Sequence, residues 1–275
     1  MEGQWIRLNR LFSGGGRAVL VSLEAGVFAG PIPGLGNLPE VVDGFRDADA
    51  MIISPGMMRH CGHAFDYRGA PLAAVRLNWP TGRRPVADYT GSVCGTLSAP
   101  SSAQAVGADL CVASLCLGGN SEHDDAAAVE EFSALVRQKR ECGLPLIAEW
   151  FPGGAENLPP GRLAERVHEG ARMVAELGAD AVITYAVADE LERTVNTCPI
   201  PVIAAHVRQT ADADDLLQMA SQATQNGALG VLVRGACLDA PDVPGMMSAV
   251  RRVLKDELDP ETAAEEAGLS TQGPE

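Results

Sequence analysis

The stretch LPLIAEWF at Leu144–Phe151, followed by RLAERVHEGARMVAEL at Arg162–Leu177 and GADAVITYA at Gly178–Ala186, decides the fold of this chain. Its first and last segments are short apolar runs, which are typical of buried strands in a parallel sheet. The middle segment has apolar residues at the spacing of one helix face, namely Leu163, Val167, Ala171, Val174 and Leu177. Gly178 can end this helix in the left-handed conformation, so the stretch predicts a strand, a helix and a second parallel strand.

The same unit recurs along the whole chain. The predicted strands are Ala18–Glu24, Ala50–Ser54, Leu72–Asn78, Asp109–Leu117, Leu144–Phe151, Ala179–Ala186, Ile200–His206 and Leu229–Arg234. The predicted helices between them are Leu38–Ala48, Ala126–Cys142, Arg162–Leu177, Asp189–Thr197, Asp212–Gln225 and Val243–Asp256. The tag Gly107-Ala108-Asp109 repeats Gly178-Ala179-Asp180, which indicates that one type of helix-to-strand turn is used twice. Strands alternating with helices in this way predict an α/β fold with a single (β/α)8 TIM barrel.

The length of the chain fits one such barrel. It has 275 residues, close to the roughly 250 of a typical (β/α)8 barrel, and no change in composition marks a domain boundary. We therefore place the barrel at residues 1–257. Residues 258–275 are acidic and have little apolar surface to bury, so we expect a frayed or disordered tail.

Composition excludes several classes of partner. The chain has 36 acidic and 21 basic residues, a net charge of −15, whereas binding to nucleic acid or anionic membranes depends on Lys and Arg. The apolar runs are far shorter than the roughly 20 residues that span a bilayer, and the N-terminus lacks a signal-peptide core. The seven cysteines lack disulfide-framework spacing, so we expect reduced thiols in a soluble cytoplasmic protein, with Cys116 in the core.

A barrel also predicts where chemistry takes place, because barrel enzymes build their sites at the C-terminal ends of the strands and in the loops that follow. In strand order the residues there are Glu24, the loop Pro55–His63, Arg76 with Asn78, Cys116, Glu149 with Phe151, Tyr185, His206 with Arg208, and Arg234 with Gly235. Several of these are polar where a packed core would favour aliphatic side chains. A functional site at this end is the resulting prediction.

Several tags resemble the archaeal-type class I fructose-bisphosphate aldolase family. They are EAGV at Glu24–Val27, GPIPGL at Gly30–Leu35, GMMRH at Gly56–His60, LPLIAEWFPGG at Leu144–Gly154, AELGAD at Ala175–Asp180 and DLLQM at Asp215–Met219. Their order and spacing match over residues 16–256. The resemblance implies an aldolase-type barrel, a small anionic or phosphorylated substrate and a homo-oligomer.

The chain departs from that family where the family's chemistry resides. The family's imine-forming lysine, which serves as the electron sink, corresponds to Ile183, and its acid/base tyrosine corresponds to Phe151. The only lysines here, Lys139 and Lys255, lie on predicted helices, and we expect both to be solvated. Among the phosphate-binding positions, Arg208 and Arg234 keep cationic charge in altered places. The imine mechanism is therefore not expected.

Two interpretations of the polar residues remain open. In the first, Glu24, Glu149 and His206, with Tyr185 nearby, are catalytic acid/base groups, while Arg76, Arg208, Arg234 and Gly235 bind the anionic substrate. In the second, Glu24 and Glu149 form ion pairs with Arg76 and Arg234 that fill the vacated pocket. No cofactor is expected, although a divalent metal at the carboxylates is left open.

Two loops carry further residues with chemistry that could form a site. His60-Cys61-Gly62-His63 has metal-ligating residue types but no second pair at zinc spacing, so a loop without metal is favoured. The segment Trp79–Arg84 is either a lid that adds positive charge to the mouth or a solvated loop.

Two functions follow from these interpretations. The first is a lyase-like enzyme that acts on a small phosphorylated or anionic carbonyl compound without a Schiff-base lysine. The alternative is a catalytically inactive pseudo-aldolase that serves in binding or in oligomer assembly.

Overall fold

Side chains along each barrel strand alternate between the barrel interior and the layer of helices outside it. The computed structural model describes residues 2–13, 16–83, 93–118, 121–187 and 190–269. Its strands are β1 (Ala18–Ser22), β2 (Ala50–Ile53), β3 (Leu72–Arg76), β4 (Asn78–Pro80), β5 (Cys94–Thr96), β6 (Leu110–Ser114), β7 (Leu146–Trp150), β8 (Ala181–Tyr185), β9 (Val202–Ala205) and β10 (Gly230–Val233). Eight of them form a closed parallel barrel in the order β1-β10-β9-β8-β7-β6-β3-β2, and β4 pairs with β5 in a separate antiparallel hairpin. The predicted (β/α)8 barrel is confirmed.

Helices occupy the connections between the strands. They are α1 (Glu2–Leu11), α2 (Gly26–Ala29), α3 (Leu38–Val41), α4 (Pro55–Met58), α5 (Pro100–Ala105), α6 (Glu122–Cys142), α7 (Pro160–Leu177), α8 (Leu191–Thr197), α9 (Ala213–Gln225), α10 (Val243–Asp256) and α11 (Pro260–Glu266). The predicted helix Leu38–Ala48 is shorter, since α3 continues as a 3-10 turn at Val42–Phe45. The predicted helix Asp189–Thr197 corresponds to α8, and its residue 189 lies outside the described residues.

Side chains that point into the barrel form a core of their own. Leu20, Ile52, Ile147 and Ile183 belong to this interior cluster, whereas the alternate residues of each strand pack outwards against the helices. Leu11, at the end of α1, is fully buried in the same interior cluster. Helix α1, which the sequence pattern did not predict, therefore closes the barrel at the N-terminal end of its strands.

The two predicted Gly-Ala-Asp turns have the same conformation. Gly107 and Gly178 have φ angles of 100° and 101°, a left-handed region that favours glycine. In each turn the following alanine donates a backbone hydrogen bond back into the preceding helix, Ala108 to Ala103 and Ala179 to Val174. The repeated tag is thus one structural device.

An aspartate stands directly before three of the barrel strands and joins neighbouring strands there. The carboxylates of Asp49, Asp109 and Asp180 accept hydrogen bonds from the backbone N–H groups of Val19, Ala73 and Leu146, at 2.7, 3.2 and 2.7 Å. Each carboxylate also forms an ion pair, in the same order with Lys255, Arg10 and Lys139. Three ion-paired carboxylates thus stabilise the N-terminal end of the barrel.

The expectation that both lysines are solvated is wrong. The side chain of Lys139 is 2% exposed and that of Lys255 is 5% exposed. Burial lowers the pKa of Lys139, with a smaller contribution from the positive charge of Arg140, and the carboxylate of Asp180 opposes that shift. Because both lysines pair with aspartates that precede strands, they lie at the end of the barrel opposite the strand C-termini.

The structure also differs from the expected C-terminal tail. Residues 260–266 form α11, which begins at a capping interaction in which the Asp259 carboxylate accepts from the backbone N–H of Thr262. Ala263 and Ala264 are buried against α9 and α10. The two alanines give this short helix an apolar face that packs against its neighbouring helices. Residues 270–275 of the expected tail lie outside the described residues.

Replacing Lys139 by Ala is expected to lower the free energy of unfolding by about 1–3 kcal/mol, because Asp180 would keep its charge without a counterion. The matched control is Arg162→Ala, which removes the exposed pair with Glu165 and should cost at most about 1 kcal/mol. Urea denaturation of both variants measures the difference. Equal losses would show that the buried pair contributes no more than the exposed one.

Candidate active site

Two carboxylates share one buried arginine at the C-terminal end of the barrel. Arg76, the last residue of β3, is fully buried, and its guanidinium lies 2.7 Å from the Glu24 carboxylate and 2.6 Å from the Glu149 carboxylate. Both carboxylate side chains have zero exposure. Their charges therefore compensate a cation that would be costly to bury alone.

Hydroxyl groups fix the orientation of this ion cluster. The Ser114 hydroxyl donates to Glu149 at 2.8 Å and accepts from Arg76 at 3.0 Å, while the Ser22 hydroxyl donates to Glu24 at 2.9 Å. Asn78 holds Ser114 in turn, because its side-chain amide pairs with the Ser114 backbone at 2.8 Å in both directions. The cluster is thus fixed by at least four separate segments of the chain.

Arg83 adds a second cation to the ion cluster from a turn outside the barrel strands. It ends the 3-10 turn Thr81–Arg83, and its guanidinium lies 3.0 Å from Glu24 and 3.2 Å from Glu149. The same guanidinium stacks over the Phe28 ring at 4.3 Å. The interpretation of an ion network thus matches the geometry, but Arg83 takes the place that the sequence analysis gave to Arg234. Of the predicted lid, the part from residue 84 lies outside the described residues.

These charges determine the protonation state of Glu149. Burial would raise the pKa of its carboxyl group, but the positive charges of Arg76 and Arg83, with hydrogen bonds from Arg76 and Ser114, hold the pKa at about 2. The two carboxylates in turn raise the pKa of Arg76 despite its burial. Glu149 is therefore ionised at neutral pH and, while Arg83 stays in place, is a weak base.

On the opposite side of the mouth, Arg234 is a buried cation with no carboxylate partner among the described residues. It is 7% exposed, its Nη2 donates to the backbone carbonyls of His206 and Val207, and its Nε has no hydrogen-bond partner. Its guanidinium stacks over Phe151 at 4.9 Å and Tyr185 at 5.3 Å. Burial lowers the pKa of Arg234, and its contact with Tyr185 opposes that shift.

A cavity of about 570 Å³ lies between these two groups. Its lining includes Arg83, Ser114, Cys116, Phe151, Tyr185 and Arg234. Gly235 has a φ of +70°, and a Cβ there would lie 2.2 Å from the Gln209 carbonyl oxygen, so the turn beside Arg234 requires glycine. The cavity has a size suited to a small metabolite.

Two predicted site residues point elsewhere. The Arg208 guanidinium forms a two-pronged ion pair with Asp215 on α9, at 2.7 and 2.8 Å, and is largely exposed. The His206 ring accepts from the Arg208 backbone N–H at 3.1 Å, and only its carbonyl oxygen contacts Arg234. Neither side chain lines the cavity, so the structure brings together Glu24, Arg76 and Glu149, and separately Tyr185 with Arg234 beside Gly235.

The loop with metal-ligating residue types shows no metal-binding cluster. Across the described residues no group of three or more His, Cys, Asp or Glu side chains is placed to hold an ion. His63 instead lies 3.7 Å from Asp43, and Cys61 is buried in the outer core. No helix in the described part of the chain combines the length and apolarity needed to cross a membrane.

The wild-type protein is expected to lose stability as pH falls from 4.5 towards 2, because the pKa of Glu149 drops from 4.5 to about 2 on folding. A lowered pKa means that its contribution, about 3 kcal/mol, is complete above pH 4.5 and lost below it. Glu149→Gln should be less stable at pH 7 and lose less on acidification. Denaturation at pH 7 and pH 3 tests this, and an unchanged pH dependence in the variant would contradict it.

The chain is similar to known proteins over nearly its whole length. No protein-family model matches the chain. An uncharacterized aldolase of Saccharolobus solfataricus is 26% identical over 267 residues, which cover 94% of this chain and 97% of that protein. The 3-hydroxy-5-phosphonooxypentane-2,4-dione thiolase of Escherichia coli K12 is 27% identical over 256 residues, which cover 92% and 82%.

Solved structures give the same picture for the fold. An archaeal fructose 1,6-bisphosphate aldolase superposes with a TM-score of 0.77 at 20% identity, over 91% of this chain and 98% of that one. A fructose-bisphosphate aldolase from Slackia heliotrinireducens gives 0.79 at 18% identity, over 100% and 92%. The resemblance found in the sequence tags is confirmed: the homologues and structural neighbours of this chain include archaeal class I fructose-bisphosphate aldolase-like proteins and the phosphonooxypentanedione thiolases.

Proposed function

We propose that this chain binds a small phosphorylated carbonyl compound in the mouth cavity and cleaves a carbon–carbon bond in it without an imine intermediate. The relatives named above are an aldolase and a thiolase with a phosphorylated substrate. The observation that carries the proposal is Arg234, a buried cation at the cavity with no carboxylate partner among the described residues and an unsatisfied Nε.

Arg234 is the proposed anion-binding residue. Backbone carbonyls and two aromatic rings hold its guanidinium in position before any ligand arrives. A phosphate or carboxylate in the cavity would restore the counterion that this buried charge lacks. Arg83, 22% exposed, also lines the cavity, but Glu24 and Glu149 balance its charge together with that of Arg76.

The positions of the lysines support a route without an imine. Lys139 and Lys255 are held by aspartates at the far end of the barrel. Ile183, which we expect to replace the family's lysine, is fully buried and belongs to the interior cluster, in register with Glu149 on β7. An aliphatic side chain there packs the barrel interior and offers no nucleophile.

Proton transfer in this proposal falls to Tyr185. Its phenol lies beside Arg234 and lines the cavity, so it can exchange a proton with a hydroxyl of a bound ligand. Glu24 and Glu149 hold Arg76 and Arg83 in place, and Arg83, which lines the cavity, can donate hydrogen bonds to the oxygen on which negative charge develops when the carbon–carbon bond breaks.

A binding protein without turnover is the second candidate, and the ion cluster favours it. Both carboxylates that the sequence offered as acid/base groups are already paired with Arg76 and Arg83. A pocket with satisfied charges binds a ligand at Arg234 as well as an active one does. This candidate differs from the first only in the chemical step, and a pseudo-aldolase would retain the anion site.

Replacing Arg234 by Met, which keeps volume and removes charge, is expected to weaken binding of dihydroxyacetone phosphate about tenfold or more, because a charge-assisted contact is lost. Arg208→Met is the matched control, since Arg208 is paired with Asp215 outside the cavity. Isothermal titration calorimetry measures both, with circular dichroism as a check of folding. Equal affinities in a folded Arg234 variant and the wild type would refute the anion site.

Borohydride added with dihydroxyacetone phosphate or fructose 1,6-bisphosphate is expected to trap no covalent adduct, because no lysine lies near the cavity. A coupled assay measures cleavage in parallel, and Tyr185→Phe should lower the rate about a hundredfold or more. Mass spectrometry detects any adduct, which would overturn the proposed route. Binding without cleavage would favour the pseudo-aldolase.

A further inference from the structure

Two thiols meet at the rim of the cavity in a way that the proposed function does not use. The Cys94 thiol lies 2.8 Å from the Cys116 sulfur, and a second contact joins Cys94 to the Ser114 carbonyl at 3.7 Å. All seven cysteines of the chain are thiols. Closing a sulfur–sulfur bond of about 2 Å would need a displacement under about 1 Å.

The two cysteines belong to different parts of the fold. Cys94 begins β5 of the hairpin, where it pairs with Pro80 of β4. Cys116 follows β6 of the barrel by two residues and lines the cavity. The thiols of Cys198 and Cys237 instead donate to backbone carbonyl oxygens, those of Ala171, Ala211 and Asp212. The Cys94–Cys116 contact is therefore a link between hairpin and barrel.

The hairpin carries Arg83 to the ion cluster. Thr81 and Val93 are joined by two hydrogen bonds of 2.8 Å, and the turn Thr81–Arg83 follows directly from β4. Cys94 is adjacent to Val93, so a covalent bond from Cys94 to the barrel would hold the base of the hairpin. It would thereby hold the position of Arg83 over Glu24 and Glu149.

We propose that Cys94 and Cys116 are a reversible disulfide site that fastens the Arg83-bearing hairpin to the barrel mouth. The oxidant is a low-molecular-weight disulfide. Cys116 attacks one of its sulfurs, forming a mixed disulfide and releasing one thiol, and Cys94 then attacks the Cys116 sulfur and releases the second thiol. The two protein thiols are oxidised to one disulfide, and the small disulfide is reduced to two thiols.

The order of attack follows from the hydrogen bond between the thiols, in which Cys94 donates its proton to the Cys116 sulfur, and not from exposure, since Cys94 is the more exposed of the two. Cys116 borders the cavity, through which a small disulfide can reach it. The hydrogen bond to Cys116 and burial both raise the pKa of the Cys94 thiol, which makes it the poorer first nucleophile. Once Cys116 carries the mixed disulfide, the neighbouring Cys94 is placed to resolve it. The site does not depend on any carbonyl ligand.

The test is oxidation of the folded full-length protein with glutathione disulfide, followed by thiol titration in denaturant and peptide mapping. The expected result is a loss of two of the seven thiols, recovered as one Cys94–Cys116 disulfide and restored by dithiothreitol. Cys94→Ser should instead accumulate glutathione on Cys116, whereas Cys116→Ser should leave Cys94 unmodified. The matched control, Cys198→Ser, should form the disulfide like the wild type.

Amide hydrogen exchange gives a second measurement. Oxidation of cysteines elsewhere in the chain would not change the exchange rates in the hairpin. Amide exchange at Val93 and Leu97, whose N–H groups bond to Thr81 and Leu77, should slow about tenfold or more in the oxidised protein. Amides of β10 should not change. The proposal is overturned if oxidation spreads over other cysteines, if Cys94 and Cys116 stay reduced, or if the disulfide forms without slowing exchange in the hairpin.

Discussion

Arg76 is a full positive charge inside the barrel, and the arrangement of the mouth depends on that constraint. A buried guanidinium is several kcal/mol less favourable than a solvated one unless anions surround it, so two carboxylates must reach it. They come from beyond β1 and from β7, on either side of Arg76 on β3. The ion cluster therefore ties together consecutive strands around about half of the barrel.

That cluster divides the mouth into two electrostatic halves. Glu24 and Glu149 balance Arg76 and Arg83, so this side carries no net charge. Arg234, across the cavity, has only carbonyl and aromatic neighbours among its described contacts. An anion would therefore be attracted to one wall of the cavity, and its other end would lie towards the compensated wall.

The barrel, and the residues of the candidate site that lie at strand ends, could be predicted from the sequence. Strand ends carry Glu24, Arg76, Glu149 and Arg234 at inward positions, and a polar side chain at such a position is visible in the alternation of each strand. The turn tags were also readable, because a left-handed turn selects glycine locally.

What could not be predicted depends on contacts that are distant in sequence. Arg83 lies in a 3-10 turn outside the barrel register, so nothing in its neighbourhood indicated that it would reach two strands. The burial of Lys139 depends on Asp180, and general statistics for lysine exposure gave the wrong answer. Arg208 comes after a barrel strand, as a residue of the mouth should, but its guanidinium pairs with Asp215 on the next helix and not with the cavity. In each case the deciding partner is in another element.

The position of Leu11 gives the N-terminus a structural role. Its side chain fills the floor of the barrel, while Gln4 and Arg7 anchor α1 to the carbonyls of Leu144 and Gly143 before β7. A shortened version of this protein that began at β1 would have a hole at the base of its interior, through which water could reach the apolar layers beneath the ion cluster. The first helix thus closes one end of the barrel. It keeps water out of the interior, on which the buried charges at the opposite end depend.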